Sequence, residues 1–145
     1  MGRVIHLDSA GKDRARLIRS VVLALRELMR QNETDSQTYD LAAFISLSLL
    51  EIHRTIDASV GAWEKRGYWV KADRFRMDWA WSETLGGSMK KAILGDDWMS
   101  VARVAAQVAE KLNSTKVPQR NRLGTPWVGA WEVLLKASNQ KPRDL

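Results

Sequence analysis

Between Ser36 and Arg66, a mostly apolar seam returns at steps of three and four, through Ala42, Ile45, Leu49, Ile52, Ile56, Ser59 and Trp63. A right-handed α-helix, at about 3.6 residues per turn, gathers such a series on one face; a strand would need alternation at every second residue. Ala43, Leu47 and Leu50 fall on the opposite side, so the first half of this helix is apolar nearly all round. A helix of that kind is stable in water only when other helices cover it. The remainder of the chain is therefore read as the source of its cover.

The flanking segments repeat the pattern. Asp8 or Ser9 is placed to cap a first helix running to about Gln31, with Leu17, Val21, Ala24 and Leu28 as its seam and Ile18, Val22, Leu25 and Met29 widening it. Asn32 to Asp35 breaks the pattern and supplies the next cap. Gly67 is a stop for the second helix, with Lys65 and Arg66 suited to the negative end of its dipole. The spacing predicts a third helix from Tyr68 to Leu94, seamed by Tyr68, Ala72, Phe75, Trp79, Ser82, Gly86, Met89 and Ile93. Gly86-Gly87 within it either kinks the helix or admits a close neighbour. Asp96-Asp97 opens a fourth helix to about Leu112, on Trp98, Val101, Ala105, Val108 and Leu112. Residues 113–125 are polar, basic and aperiodic, and read as a linker. Thr125-Pro126 is an N-cap and first-turn pair for a short fifth helix, with Trp127, Trp131 and Leu134 on one face. Residues 138–145 are expected to fray. No segment alternates with period two. The expected fold is all-α: an antiparallel up-down four-helix bundle with a short fifth C-terminal helix packed across it, residues 1–145 forming one domain.

Several chemistries are excluded by what the chain lacks. Without cysteine there are no disulfides, thiolate catalysts or cysteine-ligated metals. The only histidines are His6 and His53, and neither completes the Glu-x-x-His pairs that a di-metal bundle needs, so neither a metal nor another cofactor is expected. Leu7 to Asp13 falls short of a phosphate loop, lacking its first glycine and the Ser/Thr after Lys12. No stretch approaches the roughly 20 apolar residues that span a bilayer, and no apolar leader opens the chain. The expectation is a cytoplasmic protein with no membrane partner.

Three surfaces remain. The densest is Ala62 to Trp81, where Trp63, Tyr68, Trp69, Phe75, Trp79 and Trp81 alternate with Lys65, Arg66, Lys71, Arg74 and Arg76. Helical spacing sends Tyr68, Phe75 and Trp79 to the core and leaves Trp69, Val70, Met77 and Trp81 on the far side, flanked by Leu85. Either the third helix is central and buried on both sides, or these five are the predicted partner interface, with a homo-oligomer as its leading form. The second surface is basic. Residues 12–30 carry six basic against two acidic side chains, and Lys12, Arg19, Arg26 and Arg30 share one stripe about 27 Å long. Lys116, Arg120 and Arg122 in the linker add to it. A stripe of that length suits a phosphate backbone, unless the second helix, with five acidic residues over 31–60, neutralises it. The third is a polar stripe of Ser46, His53, Asp57 and Glu64, a candidate pocket. The reading taken first is a non-enzymatic interaction module acting through the third-helix aromatic face. A nucleic-acid-binding protein using the basic stripe and linker is its rival, and a ligand or enzymatic pocket at His53 the third.

Overall fold

The computed structural model describes residues 7–139. Five helices account for its regular structure: α1 (Leu7–Met29), α2 (Ser36–Lys65), α3 (Trp69–Leu94), α4 (Trp98–Lys111) and α5 (Ala130–Asn139). The protein is an all-α bundle. Arg14 meets Thr55 and Ser59 while Gln31 meets Thr38, so α1 and α2 run antiparallel. His53 facing Glu83 and Glu64 facing Arg76 show the same for α2 and α3.

Helix α2 is the axis of the fold. It packs most extensively on α3 and α1, and α5 lies against it; α4 packs on α3. Leu41, Ile45, Leu49, Ile52 and Ile56 are buried along its length, each contributing about 1.5–3 kcal/mol of apolar burial. The bundle does not close evenly, because α1 and α4 touch sparsely. At 14 residues, α4 is too short to cover the 23 residues of α1.

The turns follow local chemistry. The Asp35 carboxylate accepts from the Thr38 amide at 3.1 Å and caps α2. At its far end, Gly67 adopts φ 81°, the Tyr68 amide donates back to the Trp63 carbonyl and the Gly67 amide to that of Glu64. That pair of bonds closes a helix when the residue after the cap is left-handed. The α3–α4 turn repeats the device, but the left-handed residue is Asp96 (φ 55°) rather than Gly95. Aspartate tolerates this conformation better than most residues, and its carboxylate accepts from the Tyr39 hydroxyl and the Trp98 indole. Asp97 then caps α4 through the Ser100 amide.

Three expectations need correction. Helix α1 is already formed at Leu7, so Asp8 and Ser9 lie inside its first turn rather than ahead of it. Helix α5 starts at Ala130, not at Pro126, because Gly129 at φ 83° interrupts the right-handed run. Its cap comes from another helix: the Asp40 carboxylate of α2 accepts from the Gly129 and Trp131 amides at 3.1 and 3.0 Å. Finally, residues 113–125 are anchored. Val117 and Leu123 pack inward, Trp127 behind them is buried, and Arg26 of α1 donates to the Val117 carbonyl. His6 and residues 140–145 lie outside the described residues.

Candidate interaction surfaces

The aromatic stretch resolves into a ladder and a face. Trp63 meets Phe75 edge-on at 4.9 Å, Phe75 meets Trp79 at 6.4 Å, and Trp79 stacks on Trp81 at 5.5 Å. All four rings, Trp81 included, are partly buried against the core. Leu85, expected at the interface, is only 9% exposed and belongs to the core, because α4 covers that flank of α3. The rest of the set stands clear: Trp69 is 61% exposed, Val70 74% and Met77 77%, with Tyr68 exposed beside them. Tyr68 was placed on the inner seam by spacing; it precedes the first turn of α3 and escapes the core. Val70 and Met77 are one heptad apart and lie within about 20° of each other on α3.

The polar stripe does not assemble. Ser46 is fully buried and donates to the Gly86 carbonyl at 2.8 Å, across the α2–α3 contact. His53 Nε2 lies 3.4 Å from Asp57 and 3.1 Å from Glu83, an α3 carboxylate that no reading of α2 could supply. Glu64 is held by Arg76, which also binds Asp73. Among the described residues no group of three or more His, Asp or Glu side chains is disposed to hold a metal ion.

Arg14 lies outside the predicted surfaces yet bridges α1 to α2. Its guanidinium donates to the Thr55 carbonyl and hydroxyl and to Ser59, and lies 4.9 Å from the centre of the Phe75 ring. Partial burial lowers its pKa from the ordinary arginine value. The signal was present in the sequence: Arg14 precedes Leu17 by three and Val21 by seven, which puts a charge on the core seam of α1.

The two basic stretches, by contrast, converge. Arg16 and Arg19 of α1 and Arg120 and Arg122 of the anchored segment line one cleft of about 470 Å³. Arg26 of the predicted stripe is committed to Val117, and Arg30 to Glu27 at 2.9 Å, while Lys12 and Lys116 are exposed. Among the described residues no ion pair joins the five acidic side chains of 31–60 to the stripe. Asp35 and Asp40 cap helices, Glu51 pairs with Arg54 and Asp57 with His53.

An apolar groove of about 520 Å³ also runs where α1 and α4 part, lined by Leu25, Leu28, Met29, Trp98 and alanines of α4. Comparison with protein-family models, curated proteins and solved structures finds no match to this chain.

Proposed function

We propose that the protein is a non-enzymatic helical-bundle interaction module that pairs with a second copy of itself through the outer face of α3. The observation that carries this is Val70 and Met77, both about three-quarters exposed and one heptad apart on the same line of the helix. An exposed apolar line of this kind is costly in water and suits an apolar contact. The charges around it argue for a copy of the same chain. If two α3 helices cross antiparallel about a two-fold axis between Asp73 and Arg74, Val70 meets Met77 of the partner and Asp73 meets Arg74 of the partner. Each contact occurs twice, as an isologous interface requires. Trp69 flanks the line and adds an aromatic anchor. Among the described residues no helix is long and apolar enough to cross a membrane, and the cysteine-free sequence suits the proposed cytoplasmic setting.

Sedimentation velocity across protein concentration tests the pairing. The wild-type chain should form a dimer, and Val70→Glu with Met77→Glu should leave a folded monomer. Asp73→Arg alone should weaken the dimer, and adding Arg74→Asp should restore it by re-pairing the charges. A monomeric wild type at high micromolar concentration, or a dimer indifferent to the double glutamate change, refutes the proposal.

A further inference from the structure

We infer that the arginine cleft between α1 and the 113–125 segment binds the phosphate backbone of a nucleic acid, without reading bases. The inference is independent of the α3 pairing and uses a separate set of side chains.

Its first support is convergence. Arg16 and Arg19 are about a hundred residues from Arg120 and Arg122, yet the four border one concavity. The fold builds that concavity with dedicated contacts. Asn121 braces the turn, donating to the Pro118 carbonyl at 3.0 Å and accepting from the Leu123 amide at 3.0 Å. Arg26 fastens the segment to α1, and Val117 and Trp127 hold it from within. The outward arginines therefore ride on a fixed backbone, which lowers the entropy lost on binding.

The second support is unspent charge. Among the described residues no carboxylate pairs with Arg19, Arg120 or Arg122, and all three are exposed. Arg16 is the exception, 3.7 Å from Asp13. Guanidinium groups present paired donors that match phosphate oxygens, and several held together raise the local potential for a polyanion. Lys12 and Lys116 extend the positive field beyond the cleft.

The surroundings select among polyanions. No exposed large apolar side chain lines the cleft, so nothing there would insert into a lipid surface. No aromatic ring lines it either, Trp127 being buried, so stacking on bases is not offered. What the cleft offers is backbone contact alone, the sequence-independent mode of nucleic-acid binding.

Fluorescence anisotropy with a labelled 20-base-pair DNA duplex and a matching single strand tests the inference on the full chain. Four phosphate contacts predict that the duplex association constant falls with salt at a log–log slope of about −3.5, roughly a hundredfold between 50 and 200 mM. Arg19→Glu with Arg122→Glu should weaken binding at least tenfold and flatten that slope, with the far-UV circular dichroism unchanged. Lys91→Glu, an exposed charge on α3, should change affinity less than twofold. The inference is overturned by absent binding at 50 mM salt or by a slope shallower than −1. It is equally overturned if Lys91→Glu weakens binding as much as either cleft arginine alone, since net charge would then suffice. Binding to anionic vesicles or polyglutamate as tight as to duplex also rejects it.

Discussion

Gly86 and Gly87 are neighbours on α3, yet replacing each by alanine should move stability in opposite directions. A Cβ on Gly87 meets nothing within 4 Å, so the substitution only removes the conformational penalty of glycine in a helix. That is worth about 1 kcal/mol in favour of the variant. A Cβ on Gly86 would lie 3.1 Å from Leu49 Cβ and 3.1 Å from Leu50 Cδ2. The Leu50 methyl can rotate away. Leu49 Cβ cannot, since it is fixed to the α2 backbone and fully buried, so α2 and α3 must separate by a few tenths of an ångström. Overpacking of this kind costs about 1–3 kcal/mol, and the helix-propensity gain offsets about 1 of it, leaving a net loss of up to about 2 kcal/mol. The Ser46 hydroxyl bond to the Gly86 carbonyl would be stretched by the same movement. For a chain of this size, about 1 kcal/mol shifts Tm by roughly 2–4 °C. Thermal and urea denaturation followed by circular dichroism, at one fixed protein concentration, should show Gly87→Ala melting higher than wild type and Gly86→Ala lower. Equal stabilisation by both changes would refute the claim that Gly86 sets the α2–α3 separation.

Three further outcomes follow from named contacts. The Tyr39 hydroxyl, and then the Trp98 indole, hold the Asp96 pKa below the ordinary aspartate value, and the same bond to Asp96 raises that of Tyr39. The depressed carboxylate stabilises the fold above its unfolded pKa of about 3.9 and loses this as pH falls through the lower folded value. The raised phenol stabilises below about pH 10 and loses this as pH rises through its folded value, so Tm should decline at both extremes. Tyr39→Phe should abolish the alkaline decline attributable to this bond. Part of the acid decline should persist, because hydrogen bonds from Thr38 and Ser100 also depress Asp35 and Asp97. Asp40→Ala should cost about 1 kcal/mol and release α5 first, read as faster amide exchange at Leu134 with α1–α3 protected. Leu85→Ala should lower stability by about 2–4 kcal/mol in urea titrations and leave the proposed α3 pairing unchanged, because this side chain is core.

The seams of α2, α3 and α4 were legible because each buries residues at near-regular helical spacing, and Asp35, Gly67 and Asp97 act within one turn of their own position. The failures share a cause. Gly129 reads as an ordinary helix residue until its backbone is seen in the left-handed region, and the cap that starts α5 comes from Asp40, ninety positions upstream. Ser46, His53 and Glu64 share a stripe on α2 but meet different α3 partners at different heights. Leu85 and Trp69 both lie off the inner seam; α4 covers one and nothing described covers the other.

By itself, then, the sequence determined that five helices form, most of their inner faces and the all-α class, because those follow from periodicity and from interactions a few residues long. Tertiary structure alone decided which outward residues are surface and which charges are spent. It buried Leu85, left Val70 and Met77 in solvent, turned the α2 carboxylates to caps and local pairs, and brought Arg120 and Arg122 beside Arg16 and Arg19. The physical reason is that burial and electrostatic pairing depend on distance in space, and the α1–α2 hairpin and the anchored 113–125 segment set those distances independently of separation along the chain.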